Sequence, residues 1–411
     1  MQPSPKGFRL HIGIFGRRNV GKSTLLNAIV RQQASIVSDI AGTTTDPVEK
    51  PMELQPLGPV LFIDTAGIDD PGVLGGLRVE KTRAVLARTD IALIVSDGAW
   101  GPFEEGLVSQ IQKLGLPAIV VFNKADIAAP DFAAMDRLRL PVVRTVASLG
   151  EGIADLRTAL AKAVPDEAAR SLTIVSDLVG PGELAVLVVP IDQEAPKGRL
   201  ILPQVQTIRD LLDHNSMCLA VQERELTAAL ENLRRPPKLV VTDSQAFRTV
   251  AADTPADVAL TSFSILFARL KGDLAEMACG ALAVDRLDSG DRVLICEACT
   301  HHPIEEDIGR VKIPHWIGQY TGANVKFTHR QGHDFPDDLA EYSLVIHCGG
   351  CMWNRRAMLN RIQQCREAGV PITNYGIVIA HSLGILERAL GPFPAVLDAF
   401  RSARPSAALA P

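Results

Sequence analysis

The stretch GRRNVGKST, residues 16–24, constrains the fold more than any other part of the chain. It fits the pattern G-x-x-x-x-G-K-S/T. It also lies between an apolar run, RLHIGIF, and a helical pattern, KSTLLNAIVRQ. That strand–loop–helix context is what a phosphate-binding loop requires. Gly16 and Gly21 let the backbone curl so that its N–H groups, with those of Val20 and Thr24, surround phosphate oxygens. The helix N-terminus adds its positive end. Lys22 is placed to reach the β- and γ-phosphates and Ser23 to ligate Mg²⁺.

Three further motifs follow in the order a nucleotide hydrolase needs. GTTTD (42–46) offers Thr43 and Thr44, with Thr44 as the switch threonine for Mg²⁺. DTAG (64–67) ends a strand, where Asp64 would hold Mg²⁺ through water and the Gly67 N–H would meet the γ-phosphate. NKAD (123–126) supplies Asn123, Lys124 and Asp126. The Asp126 carboxylate can accept from guanine N1–H and N2–H₂. Adenine offers neither donor, and leaving the carboxylate unpaired costs roughly 1–3 kcal/mol. GTP, with Mg²⁺, is therefore the expected nucleotide, with Lys22, Thr44, Asp64 and Gly67 as the catalytic set. VASLGEGI (146–153) reads as the last base-contact loop, with Ala147 beside the guanine. The set resembles the translation-factor-related GTPases that include tRNA-modification and ribosome-assembly members. Ile68 stands where Ras-like enzymes orient water with glutamine, so intrinsic hydrolysis is expected to be slow. In the similar potassium-activated GTPases an asparagine at the Asn19 position helps bind K⁺; stabilising the loop is the other role open to it.

The alternation of apolar runs and helical patterns extends along the whole chain. DIALIVSD, PAIVVFNK and PVVRTVA read as strands of a parallel sheet covered on both faces. The fold class is α/β: a doubly wound P-loop GTPase domain (1–168), then two further α/β domains, one with strands such as ELAVLVVPI (169–262) and one with strands such as DRVLICEAC and the clustered cysteines (263–411). A length of 411 residues agrees with several domains, and 47% apolar residues can fill their cores. A net charge of −5 argues against a protein whose main task is holding nucleic acid. No apolar run reaches the roughly 18 residues that span a bilayer, and the start has no signal-peptide architecture, so a cytoplasmic protein without membrane partners is expected.

Seven cysteines and seven of the nine histidines raise a second chemistry, because the cysteines cluster and all but two histidines lie beyond residue 300. Cys296 and Cys299 form one C-x-x-C, Cys348 and Cys351 another, each after a strand. Composition leaves zinc and iron–sulfur open, with four core cysteines as a third reading. The arrangement Cys299-Thr300-His301, a gap of 45, then His347-Cys348-Gly-Gly-Cys351 resembles a specific family. With the GTPase motifs in front and LVGPGELAVLVVPIDQEAPKGRLILPQVQTIRDLL (178–212) between, the whole chain resembles the [FeFe]-hydrogenase maturation GTPases, HydF.

That resemblance implies a [4Fe–4S] cluster on Cys299, Cys348 and Cys351. Three thiolates leave one iron with an exchangeable ligand. His301, His347 and Glu306 are candidates for the fourth position, or for hydrogen bonding around it. Cys296 falls outside the family motif and reads as a strand residue. His301/His302 and Arg355/Arg356 could cradle an anionic cargo, although a solvated helix face suits the arginines better. The resemblance further implies that residues 169–262 form the dimerisation domain of a homodimer and residues 263–411 the cluster-binding domain, which receives a diiron precursor from two radical-SAM maturases and passes it to apo-[FeFe]-hydrogenase. Two rivals stay open: an RNA-modification or ribosome-assembly GTPase with a zinc-stabilised tail, and a redox-sensing regulatory GTPase.

Overall fold

The computed structural model describes residues 4–31, 47–65, 82–128, 139–165, 173–191, 200–298 and 307–404. The chain divides into two compact units, residues 1–171 and 172–411.

The first unit is built on a six-stranded sheet of order β2-β3-β1-β4-β5-β6. Its strands are β1 (Leu10–Phe15), β2 (Val48–Leu54), β3 (Gly58–Asp64), β4 (Ile91–Ser96), β5 (Ala118–Phe122) and β6 (Val142–Arg144). Every residue of β4 and β5 is buried, which explains why these runs lack polar alternation. Helices Lys22–Arg31 and Ile153–Ala163 cover one face, packing Leu25, Ile29, Leu156 and Leu160 onto Ile12, Ile14 and Phe62. Helix Pro102–Lys113 covers the other, with Val108 and Ile111 against Phe15 and Ile94. That helix starts with proline in its first turn and carries Glu104 and Glu105 there, near the positive end of its dipole.

β2 was not expected from sequence. Its residues, VEKPMEL, mix charged and apolar side chains, only Leu54 of them is buried, and the strand runs antiparallel to β3 at the sheet edge, where Pro51 loses little. All other pairings are parallel. The carboxyl ends of β1, β3, β4 and β5 therefore lie along one edge of the sheet, the usual location of an α/β site.

The second unit holds two four-stranded parallel sheets. The first, of order β10-β9-β7-β8, comprises β7 (Leu184–Val188), β8 (Met217–Val221), β9 (Leu239–Thr242) and β10 (Ala259–Ser262). The second, of order β12-β11-β13-β14, comprises β11 (Arg292–Glu297), β12 (Lys326–Gln331), β13 (Leu344–His347) and β14 (Ile372–Asn374). Val293, Ile295, Leu344 and Ile346 form a core with Ile313, Ile317, Val378 and Ile379. The two sheets are bound together by side chains that cap backbone carbonyls. Arg388 donates to Ala251, Thr254 and Pro255, and Asn374 Nδ2 donates to Ser264. Among the described residues no helix is long and apolar enough to cross a membrane.

Candidate functional site

In the first unit the loop after β1 turns at two glycines that no other residue could replace. Gly16 has φ +151°, and a Cβ there would lie 2.3 Å from Val95 O. Gly21 has φ +93°, with its Cβ position 2.3 Å from Asn123 Nδ2. Between them Asn19 adopts φ +63°. Lys22 Nζ donates to the carbonyls of Gly16 (2.9 Å) and Arg17 (2.7 Å), so the ammonium is held within the loop.

Of the residues expected around Mg²⁺, Ser23 and Asp64 come together. Ser23 Oγ donates to Asp64 Oδ2 at 2.7 Å. Asp64 Oδ1 is buried and has no hydrogen-bond partner among the described residues. Burial pushes this carboxyl up, opposed by the Ser23 hydrogen bond and by the charges of Lys22 and Lys50. A hydroxyl beside a carboxylate with one unsatisfied oxygen fits a hard divalent cation. Thr43, Thr44, Gly67 and Ile68 lie outside the described residues.

The base-recognition motif is tied to the phosphate loop. Asn123 Nδ2 donates to Val20 O at 3.0 Å, while its Oδ1 accepts from Ala147 N (3.0 Å) and Thr145 Oγ1 (3.1 Å). Lys124 Nζ donates to Asn19 O at 2.6 Å and pairs with Asp97 at 3.7 Å. Asp126 is exposed at the turn, its carboxylate open to a base edge. The motifs gave no sign of Thr145, or of Glu104, whose carboxylate grips the Arg17 guanidinium with two bonds of 2.7 Å. These partners come from distant segments, and only the sheet brings them together.

In the second unit the two cysteine segments converge. β11 and β13 are neighbours, with Cys296 opposite His347. Cys348 N donates to Cys296 O at 2.8 Å, and Ala298 N donates to Cys348 Sγ at 3.0 Å. A thiolate sulfur that accepts a backbone N–H suits a metal ligand. Cys348 and Cys351 are partly exposed at the strand's carboxyl end, as a ligand-binding turn requires. Burial pushes the Cys351 thiol up, with the charge of Lys271 acting against it. Cys299, His301 and Glu306 lie outside the described residues, and among the described residues no group of three His, Cys, Asp or Glu side chains forms a metal-binding cluster.

Cys296 is fully buried inside β11, and burial pushes its thiol up to about 12. His347 is also fully buried, and both ring nitrogens are engaged. Nε2 lies 2.8 Å from Arg361 Nη1, which can only donate, so Nε2 accepts. Nδ1–H then donates to Cys348 O at 2.8 Å. Burial, with the Arg361 charge, pulls the imidazole down to about 3, so it is neutral. Of the two roles open to His347 from sequence, this geometry matches hydrogen bonding beside the cysteines. Arg355 takes neither role expected of it. Its Nη1 donates to the carbonyls of Arg269, Leu270 and Gly272, capping helix Phe263–Lys271.

Residues 174–272 match the hydrogen maturase F dimerization domain, and residues 275–392 match the hydrogen maturase F tetramerization domain. Together they take in more than half of the chain. The chain belongs to the hydrogen maturase F family. Its first unit is a GTPase domain: residues 11–124 match the 50S ribosome-binding GTPase family. GTPase Der of Wolinella succinogenes is 41% identical over 133 residues, 31% of this chain and 28% of that protein. The tRNA modification GTPase MnmE of Heliobacterium modesticaldum is 38% identical over 151 residues, 35% of this chain and 32% of that protein. The chain thus spans less than a third of the length of these curated relatives. A solved structure of Aquifex aeolicus Era bound to GDP and aluminium fluoride is 32% identical, with a TM-score of 0.32, over 38% of this chain and 56% of that one.

Proposed function

We propose that this hydrogen maturase F chain is a GTP-hydrolysing scaffold and carrier. It holds a [4Fe–4S] cluster through Cys299, Cys348 and Cys351, receives a diiron precursor from two radical-SAM maturases, and delivers it to apo-[FeFe]-hydrogenase in the cytoplasm. The observation that carries this reading is the approach of the two cysteine segments. Ala298, the residue before Cys299, donates its N–H to Cys348 Sγ, three residues before Cys351. When bound, the cluster supplies one iron with an exchangeable ligand, to which a cargo can attach. The chain's own residues set the frame. The two strand ends fix the spacing of the thiols, and burial keeps Cys296 protonated and out of the ligand set.

Residues 1–168 turn over GTP. Lys22 meets the β- and γ-phosphates, Ser23, Thr44 and Asp64 hold Mg²⁺, the Gly67 N–H meets the γ-phosphate, and Asp126 reads guanine. With Ile68 after DTAG, turnover is slow and is raised by K⁺ bound at Asn19. Residues 169–262 pair two copies into a homodimer. Edge strand β8, with exposed Met217, supports that role. Residues 263–411 hold the cluster and its cargo.

The test is anaerobic reconstitution of the full chain and its variants, followed by iron analysis and electron paramagnetic resonance. Cys299→Ala and Cys348→Ala are expected to lose most of the iron, and Cys296→Ala to keep it. Wild-type protein loaded with the diiron precursor is expected to confer hydrogen evolution on apo-hydrogenase. If Cys296→Ala is the variant that empties the site, the ligand set is wrong and the open iron goes with it.

A further inference from the structure

Arg361, on helix Arg355–Glu367, lies beneath the cysteine turn and is 4% exposed. Its Nη1 donates to His347 Nε2 at 2.8 Å, and its Nη2 donates to the carbonyls of Gly332 and Asp334, both at 3.0 Å. Its Cζ lies 4.2 Å from the ring centroid of Trp353 and 4.5 Å from that of Phe335. Trp353 in turn stacks on His333, with centroids 5.1 Å apart. Each group in direct contact with the guanidinium is neutral. Asp334 presents its backbone oxygen, while its carboxylate pairs with Arg330 at 3.4 Å. Among the described residues no carboxylate forms an ion pair with Arg361.

A buried cation with no direct ion-pair partner is costly, by several kcal/mol even after relaxation. The aromatic faces recover part of that cost. What remains calls for negative charge close by. The groups whose charge acts on Arg361 are the thiols of Cys296, Cys348 and Cys365 and, more weakly, the Asp334 carboxylate, which is already paired with Arg330. Cys296 and Cys365 are fully buried in strand and helix packing, whereas Cys348 is partly exposed at the strand end. That singles out Cys348, which is also joined to Arg361 through His347, whose Nδ1–H donates to Cys348 O at 2.8 Å.

We propose that Arg361 is the built-in countercharge of the iron–sulfur centre, a positioning residue that acts through neutral His347 on the Cys348 turn and favours the more negative, reduced form of the cluster. This rests on the cluster reading above. Reduction adds one negative charge to a centre that already carries three thiolates. A fixed cation held in a water-poor site stabilises the reduced form more than the oxidised one. The same charge favours an anionic cargo at the open iron over a neutral one.

The experiment is a redox titration of the reconstituted full chain, followed by electron paramagnetic resonance, with iron content measured on the same samples. Arg361→Gln is expected to shift the cluster midpoint to more negative potential, and Arg361→Lys to stay nearer the wild type. Equal midpoints in all three proteins overturn the proposal while leaving the cluster reading intact. Where the glutamine variant retains too little cluster to titrate, iron content decides. A countercharge predicts that lysine retains more iron than glutamine. A merely structural peg predicts equal loss, since neither side chain can reproduce the two carbonyl bonds and the aromatic sandwich. Wild-type protein that takes up no iron overturns the cluster reading and this proposal with it.

Discussion

Asp126 is exposed at the end of a turn whose every other polar group is committed elsewhere: Asn123 to Val20, Thr145 and Ala147, and Lys124 to Asn19 and Asp97. On the reading proposed above, base choice rests on one carboxylate. Asp126→Asn exchanges a pair of acceptors for one acceptor and one donor, and is expected to lower kcat/KM for GTP by tenfold or more while improving xanthosine triphosphate. Unchanged GTP kinetics would remove Asp126 from the base site. Asn19 is a second single-residue case. Its carbonyl is taken by Lys124, and the potassium role assigns the metal to its side chain. Turnover in KCl is expected to exceed that in NaCl at matched ionic strength, and equal rates would leave Asn19 with the loop-stabilising role alone. His11, buried in β1, gives a pH prediction. Its nitrogens face the carbonyls of Arg88 and Lys6, both at 3.1 Å, and a neutral imidazole can donate to only one. Burial outweighs those bonds and pulls the imidazole from 6.5 down to about 4. Between these values the unfolded chain binds a proton that the folded one does not. His11 thus costs no stability above pH 6.5, costs progressively more as pH falls, and levels off below about pH 4, for a loss on the order of 3 kcal/mol. Thermal unfolding followed from pH 7.5 to 4.5 measures this. His11→Gln is expected to flatten that part of the curve, and parallel curves would show that other groups carry the acid sensitivity.

At the scale of elements, patterning served well where burial is complete and poorly where it is not. β4 and β5 are buried throughout and read as strands from their apolar runs alone. β2 escaped notice because it is an edge strand whose charged residues and proline interrupt the apolar pattern, held mainly by pairing to β3 with only Leu54 buried. β10 escaped because only four residues, ALTS, run before the next helix begins. Within the polar stretch RELTAALENLRR the α-helix covers only Leu226–Glu231. Besides Arg388 and Asn374, the junction between the two sheets of the second unit uses a further residue with no motif. Arg355 caps the end of helix Phe263–Lys271 from the first turn of the helix after the cysteines. Arg355→Ala leaves three carbonyls without their donor and is expected to cost about 2 kcal/mol. Denaturant unfolding of the second unit checks this, with an unchanged midpoint as the contrary result. GTP turnover, a property of the first unit, is expected to stay as it was.

At the scale of the molecule, the division into residues 1–171 and 172–411 puts the nucleotide motifs and the cysteines in separate compact units. Lys22→Ala is expected to abolish GTP turnover, by a hundredfold or more, and to leave reconstituted iron content unchanged. Cys348→Ala is expected to empty the iron site and keep turnover within a few-fold. Loss of both functions in either variant, with folding intact by circular dichroism, would mean that the two sites are energetically coupled.

The sequence by itself determined the GTPase domain and the family, because both are carried by short contiguous motifs. A phosphate loop works through its own backbone, and a C-x-x-C turn presents two thiols from one strand end, so local order is enough. Only the tertiary structure decided which side chains serve those motifs. Parallel pairing of β11 with β13 brought Ala298 to Cys348 across fifty residues of chain, and set Cys296 inside the sheet where its thiol stays neutral. The same packing took both nitrogens of His347, turned Arg355 into a helix cap, and left Arg361 as a buried cation beside the cysteines. Roles of that kind depend on burial and on partners far away in the chain, and neither is written in the spacing of residues.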